Sequence, residues 1–238
     1  MKKFLTALVI GTFAISMTAN ISDARRLHDS KFETKNIERN ATKIESEEIV
    51  EEDLKFVEPA NFFIPQTVSS ADTSIIGTPM ATQQQCVKYL MNNNPDPNLD
   101  VSAEEIVAYY YEEGMREGIR PDVAFAQALK ETGFFRYGGT VTPDQNNYCG
   151  LGTTSATVKG NYFSNPKMGV RAHIQHLLAY SSTRRPTTEI VDPRYDIVRK
   201  VYGSRTLKKW SDLNGKWAVP GKGYGQEILS MFQDILIQ

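Results

Sequence analysis

The strongest limit on the fold of this chain is the point at which its regular apolar spacing begins. Apolar residues recur at helical spacing only from about residue 79 onward. Ahead of residue 79, residues 31–58 hold nine acidic and five basic side chains, a net charge of −4, and few apolar residues. Such a segment cannot bury enough apolar surface to offset the entropy of ordering it. We therefore expect residues 25–78 to be an acidic, disordered spacer and residues 79–238 to form one folded domain.

The first residues of the chain have the composition of an export signal. Two lysines precede Phe4–Ile15, a run of about twelve mostly apolar, uncharged residues. A run of this length is short for a bilayer span but matches the apolar core of a signal peptide. Ser22 and Ala24 fit cleavage after residue 24, and cleavage after Ala19 or an uncleaved anchor are the alternatives. The sequence predicts a signal peptide at 1–24 and an exported protein, in the periplasm, the cell wall or the extracellular space.

Charge gives a weaker signal about partners. Charged residues make up 23% of the chain and the net charge is −1, so no nucleic-acid partner is predicted. Residues 166–238 nevertheless hold twelve bases and six acids, a net charge of +6. In an exported protein this portion can bind anionic wall polymers, or it can simply be a set of solvated helix faces.

The chain has two cysteines, Cys86 and Cys149. An even pair in an exported chain predicts a disulfide bond. It would close a loop of roughly 60 residues and stabilise the fold by about 4 kcal/mol in the chain-entropy model. The alternative is two buried free thiols.

Helix signals dominate the folded part. Thr82 with Gln85 and Ser102 with Glu105 form two capping boxes, and Gly118 is a natural helix end. Further helices are predicted over 123–131, 166–181 and 224–236. Residues 133–165, rich in Gly, Thr, Asn and aromatic residues, predict a small β or loop lobe. The fold class predicted is α+β and mostly helical.

Glu131 occupies an unusual place in this pattern. Ala124, Ala128 and Glu131 fall on one face of the helix that begins near Pro121. A face of alanines is a close-packing face, so the carboxyl at its end is expected to lose water and its pKa to rise. A carboxyl that stays protonated near neutral pH can act as a general acid.

Several ordered blocks resemble one family. They are 121–135 (PDVAFAQALKETGFF), 145–152 (QNNYCGLG), 169–177 (GVRAHIQHL), 192–194 (DPR), 215–221 (GKWAVPG) and 224–225 (YG). Together they resemble bacterial glucosaminidase domains, peptidoglycan hydrolases of glycoside hydrolase family 73 with a lysozyme-like fold. The resemblance covers roughly residues 80–238, about two thirds of the chain.

The resemblance implies a monomeric endo-β-N-acetylglucosaminidase that cuts peptidoglycan glycan strands without a metal or another cofactor. It implies a bundle of helices with a small lobe that lines a glycan cleft. Glu131 resembles the catalytic acid of the family. The segment that shapes the cleft floor in the family resembles the one here with Asn146, Asn147 and Gly150. Aromatic candidates for stacking on sugar rings are Phe134, Phe135, Tyr137 and Tyr148. Core packing is the alternative role of each aromatic.

Two departures from the family affect the mechanism. Residues 152–169, where some relatives place a second carboxylate, contain no Asp or Glu. We expect the substrate's own 2-acetamido oxygen to assist instead, with Asp144 as the alternative base. Trp217 stands where several relatives have a Tyr that helps to position the reacting sugar, so that role is absent or is moved to Tyr224.

Other functions are compatible with single features. Cys149 with His173 or His176 could form a cysteine peptidase site, although Cys149 also has a possible disulfide partner. His173 and His176 could be half of a zinc site, but no third ligand is evident and a buried, hydrogen-bonded His173 is the simpler interpretation. On the same fold, an N-acetylmuramidase or a lytic transglycosylase is the alternative enzyme. The alternative outside enzymes is a peptidoglycan-binding or assembly module.

Overall fold

The protein is described here by a computed structural model, which covers residues 73–153, 155 and 158–238. The regular structure of this part is almost entirely helical, as predicted. Its α-helices are α1 (Gln83–Asn93), α2 (Ala103–Glu117), α3 (Pro121–Thr132), α4 (Pro166–Ser181), α5 (Tyr195–Tyr202) and α6 (Tyr224–Leu236). Two short 3-10 turns, Pro143–Gln145 and Trp210–Leu213, lie between them. No helix in the described ranges is long and apolar enough to cross a membrane.

The predicted signal peptide, 1–24, and nearly all of the predicted spacer, 25–78, lie outside the described residues. The last residues of that spacer, 73–78, pack on the helical domain. Ile75 is fully buried, and the Arg120 backbone N–H donates to its carbonyl over 3.0 Å. The packing of the domain thus includes residues before 79.

Local sequence signals set the helix ends. Both predicted capping boxes are confirmed. The Thr82 and Ser102 side chains accept from the backbone N–H groups of Gln85 and Glu105, and the Gln85 and Glu105 side chains accept from the backbone N–H groups of Thr82 and Ser102. Gly118 ends α2 in the left-handed conformation, at φ 67°. These caps satisfy backbone groups that a helix end leaves without partners, so the ends are fixed locally.

Helix α3 lies at the centre of the domain and carries Glu131 near its end. Its residues from Pro121 to Leu129 are all buried, and the helix packs against α1, α2 and α6. Ala124 and Ala128 are fully buried, so the close-packing alanine face is confirmed. The small side chains let neighbouring helices approach closely, and Glu131 follows this packed face as an exposed residue at the end of the helix.

Where it is described, the predicted lobe takes the loop form rather than the β form. The described residues between 133 and 165 contain no strand and form turns around one 3-10 turn. Side-chain amides replace a strand ladder there: Asn147 both donates to and accepts from Leu151, at 2.9 Å each, and Gln145 donates to the Lys159 carbonyl. Asn146 has a φ of 50°, a conformation that breaks an extended strand. The segment is therefore a loop lobe.

The predicted disulfide is wrong in this structure: Cys86 and Cys149 are both free and both buried. Cys86 on α1 lies in the main core, with its sulfur 3.6 Å from the Tyr111 hydroxyl. Cys149 lies in a second, smaller core cluster with Leu151 and Ala172. Each thiol fills a separate apolar site, and an even cysteine count cannot distinguish that from a bond.

Helix α5 had no counterpart in the sequence-based expectation. It is only eight residues long and its first residue has no side-chain cap. It buries Tyr195 and Val198 but leaves Ile197 and Val201 exposed, at 53% and 64%. Its apolar residues share one side of the helix and its charged residues the other, so a helical pattern is present in the sequence. A helix of only eight residues is marginal alone, so tertiary packing on α4 stabilises it.

Candidate active site

A pocket of about 350 Å³ opens at the C-terminal end of α3. Three segments form it: the end of α3 with the loop after it, the loop around residue 150, and the turn at 217–218. The lining residues are Glu131, Thr132, Gly133, Tyr137, Gly139, Thr140, Val141, Cys149, Gly150, Thr153, Trp217 and Ala218. Glu131 is the one carboxylate among them.

Glu131 is the penultimate residue of α3. Glu131 is an exposed residue by its surface area, but protein atoms surround its carboxyl group on the side away from the pocket. Desolvation raises the pKa of the carboxyl, and hydrogen bonds from Tyr224 and Trp217 and the Lys130 charge only partly offset this. The C-terminal end of a helix dipole also disfavours a negative charge. The protonated form of Glu131 is thus favoured more than that of an ordinary glutamate.

Tyr224, the first residue of α6, holds this carboxyl from the side of the core. Its hydroxyl donates to Oε1 of Glu131 and accepts from Nε2 of Gln127 over 2.8 Å. Burial first, and the Glu131 charge second, raise the pKa of Tyr224 well above its usual value. Tyr224 is therefore protonated at neutral pH and can donate to Glu131.

Trp217 is fixed by packing on α4. Its ring lies 4.9 Å from the His176 ring and 5.7 Å from those of His173 and Tyr180, measured between centroids. The side chain is half-buried and lines the pocket beside Glu131, and its interaction with the carboxyl lowers the pKa of Glu131.

Some of the predicted site residues line the pocket, and others lie in the core. Tyr137, Gly150 and Trp217 line the pocket with Glu131. Phe135 and Tyr148 lie in the core, at 0% and 1% exposure, with ring centroids 5.8 Å apart. Neither ring is part of the pocket wall, which agrees with the packing role given as the alternative.

The remaining predicted residues lie around the pocket rather than in it. Phe134 is half-buried and packs on Tyr89, with ring centroids 5.7 Å apart. Asn146 and Asn147 are buried and hold the loop lobe through bonds to backbone carbonyls, Asn146 to that of Phe163. Asp144 is exposed on the 3-10 turn and is not a lining residue.

Sequence reasoning missed two kinds of site residue. The first is the run at 139–141, which lines the pocket through small side chains and backbone; its glycine pair, Gly138 and Gly139, was the only local signal. The second is Gln127, which lies one turn before Glu131 on α3. Its i, i+4 spacing from Glu131 was visible, but its contact with Tyr224 crosses 97 residues and was not.

The geometry disfavours thiol catalysis. Desolvation first, and then the Glu131 and Asp192 carboxylates, raise the pKa of the Cys149 thiol well above its usual value. A nucleophilic cysteine needs the opposite shift. His176 is engaged elsewhere, with Nδ1 2.8 Å from the Asp192 carboxylate.

The chain can also be compared with known proteins. The model of the glucosaminidase family, described as mannosyl-glycoprotein endo-beta-N-acetylglucosaminidase, matches residues 107–236. An uncharacterized protein of Borreliella burgdorferi is 36% identical over 175 residues, which cover 73% of this chain and 78% of that protein. No solved structure shows a significant match.

Proposed function

The chain belongs to the glucosaminidase family, and is thus a glycoside hydrolase of the type that acts on peptidoglycan; we propose that it is an endo-β-N-acetylglucosaminidase with Glu131 as its general acid. It would cut the β-1,4 bond on the reducing side of N-acetylglucosamine. The observation that carries this assignment is the position of Glu131: one desolvated carboxyl, in the wall of a pocket, held by the Tyr224 hydroxyl.

The contacts of Glu131 suit both of its protonation states. Desolvation favours the protonated carboxyl that the reaction starts from. As the bond from C1 to the glycosidic oxygen breaks, the proton passes to that oxygen and a carboxylate remains. Tyr224, Lys130 and Trp217 then stabilise the new charge. A positioned acid of this kind contributes about 10²- to 10⁴-fold to the rate.

The second reacting group is proposed to come from the substrate. Glycosidases that use two carboxylates hold them about 5–5.5 Å apart for retention and about 6.5–9.5 Å apart for inversion. Glu131 has no such partner among the lining residues. The 2-acetamido oxygen of the substrate instead bonds to C1 as the leaving group departs. Water then attacks C1, breaks that bond and returns a proton to Glu131.

Substitution of the alternative base tests this mechanism. Asp144→Asn is expected to keep turnover within about threefold of wild type, because Asp144 is exposed and outside the pocket wall. The measurement is the rate at which new reducing ends form in purified peptidoglycan. A loss of about 100-fold or more, with glycan binding retained, would show that Asp144 is the base.

The same assay separates the proposed reaction from its alternatives. A hydrolase releases one new reducing end for each bond cut. A lytic transglycosylase shares the fold and the single acid, but it forms an anhydro sugar and releases no reducing end. A binding module cuts no bond, so it produces neither reducing ends nor anhydro sugars. Steady formation of reducing ends is therefore the expected result, and soluble fragments without them would point to the transglycosylase.

Location and wall attachment are proposals that depend on sequence alone. The charged and apolar pattern of residues 1–24 supports export, which would bring the enzyme to peptidoglycan. The net charge of +6 over 166–238 supports binding to anionic wall polymers, and Lys200, Lys208, Lys209 and Lys222 are exposed there. Such binding should weaken as salt is added.

A further inference from the structure

A chain of four hydrogen bonds runs from the middle of the core to Glu131. The Tyr110 hydroxyl on α2 lies 2.9 Å from Nδ1 of His173 on α4, and Nε2 of His173 lies 3.0 Å from Oε1 of Gln127 on α3. Nε2 of Gln127 donates to the Tyr224 hydroxyl, which donates to Oε1 of Glu131. Tyr110, His173 and Gln127 are completely buried, and no part of the pocket wall includes them.

The direction of this chain is determined by its members. The amide oxygen of Gln127 faces His173, so Nε2 of His173 must carry a hydrogen. Burial lowers the pKa of His173 to about 3, so the ring is neutral and Nδ1 carries none. Tyr110 must therefore donate to Nδ1. In each of the four hydrogen bonds, the donor is the group farther from Glu131 and the acceptor is the group nearer to it.

The reverse direction is disfavoured at the far end. It would make Tyr110 an acceptor and leave its own hydroxyl hydrogen in need of a partner. Within the described part of the chain, His173 is the one hydrogen-bond partner of that hydroxyl. A buried donor left unsatisfied destabilises the fold. The core thus fixes which way the Gln127 amide and the Tyr224 hydroxyl point.

We propose that Tyr110, His173 and Gln127 are positioning residues that hold Tyr224 as a permanent donor to Oε1 of Glu131, which leaves Oε2 to carry the proton that is transferred. This inference rests on the proposed function of Glu131 as the acid. It extends the reacting unit to three residues that touch neither the pocket nor the substrate. Without the chain, the Tyr224 hydroxyl could rotate and the proton could occupy either oxygen.

Other titratable groups face the Glu131 carboxyl, and a test of the hydrogen-bond chain must leave their positions and charges unchanged. Lys130 lies beside it on α3 and pairs with Glu227 of α6. Cys149, from the loop lobe, interacts electrostatically with Glu131, and Tyr137 lines the same pocket. His176 on α4 interacts with His173 in the same way. None of these is a member of the chain, so substitutions of Tyr110 or Gln127 leave them in place.

The test compares Tyr110→Phe and Gln127→Met with Tyr195→Phe in the full-length protein. Tyr195 is a matched control, because it is also a buried tyrosine whose hydroxyl donates to one partner, the Arg184 carbonyl, far from Glu131 in the sequence. The first readout is the titration of the Glu131 carboxyl by NMR with ¹³C-labelled glutamate, assigned with Glu131→Gln. The second is the pH profile of kcat/KM on peptidoglycan.

The sign of the expected shift follows from the Tyr224 bond, which lowers the pKa of Glu131. Loosening the chain weakens that bond, so the pKa of Glu131 rises in both variants and not in Tyr195→Phe. A general acid works while protonated, so the alkaline limb of the profile moves to higher pH. We expect kcat to fall about 10-fold as the acid becomes less well oriented. Gln127→Met added to Tyr224→Phe should cause no further loss, because Gln127 acts through Tyr224.

Three results would overturn the inference: lower kcat with an unchanged Glu131 titration, an equal shift in Tyr195→Phe, or multiplicative losses in the double variant. Tyr110→Phe removes a single buried oxygen, so it keeps the test decisive where Gln127→Met does not fold. A wild-type protein without turnover would refute the proposed function. The NMR titration would still decide whether the hydrogen-bond chain sets the pKa of Glu131.

Discussion

Glu131→Gln is expected to lower the rate of peptidoglycan cleavage by about 10²- to 10⁴-fold while the protein stays folded. The amide has nearly the shape of the carboxyl, and its oxygen can still accept from Tyr224. It has no proton acidic enough for the glycosidic oxygen. The rate of formation of reducing ends measures the first effect, and a thermal unfolding curve measures the second.

Glu104→Gln is a suitable control for this substitution. Glu104 is an exposed residue in the first turn of α2, so the same chemical change is made away from the pocket. Its activity should match wild type. If Glu131→Gln clears a peptidoglycan gel as fast as Glu104→Gln does, the assignment of the acid is wrong.

Gly169→Ala should produce the largest loss of stability of any single methyl group added near the site. A Cβ at this position on α4 would lie 1.8 Å from the Asn146 carbonyl oxygen and 3.1 Å from the Tyr148 ring. Asn146 cannot easily retreat, since its backbone N–H is bonded to the Pro143 carbonyl. Overpacking of this severity costs about 3 kcal/mol, and the loop that brings Gly150 to the pocket would be displaced with it.

Urea unfolding measures this effect, and Gly139→Ala is its control. A Cβ on Gly139 would meet no atom within 4 Å, so its free energy of unfolding should change by less than about 0.5 kcal/mol. A Gly169→Ala protein as stable as Gly139→Ala would mean that α4 and the loop lobe do not approach as closely as described.

The parts of the fold that the sequence predicted well are those with local causes. The caps at Thr82 and Ser102 involve residues three apart, and the α4 and α6 bounds match the predicted ranges. The raised pKa of Glu131 was also predictable, because its position after a buried alanine face is a pattern within one helix. In each case one segment contains both the signal and the contact.

The features that the sequence left open or predicted wrongly lack a clear signal within one segment. The sequence left open whether the lobe at 133–165 is β or loop, and the structure has loops in which side-chain amides such as Asn147 supply hydrogen bonds. The two cysteines fill separate apolar sites, which the count alone could not reveal. Nothing in the sequence indicates that Tyr110, His173 and Gln127 form one chain, since those contacts cross 63 and 46 residues.

We propose that this enzyme cuts on the reducing side of N-acetylglucosamine, which the family match supports. The most direct test is mass spectrometry of a peptidoglycan digest after borohydride reduction of its new ends. We expect the reduced ends to be N-acetylglucosaminitol in the wild-type digest, and we expect none with Glu131→Gln. Reduced ends of N-acetylmuramitol, or 1,6-anhydro ends that borohydride does not reduce, would contradict it.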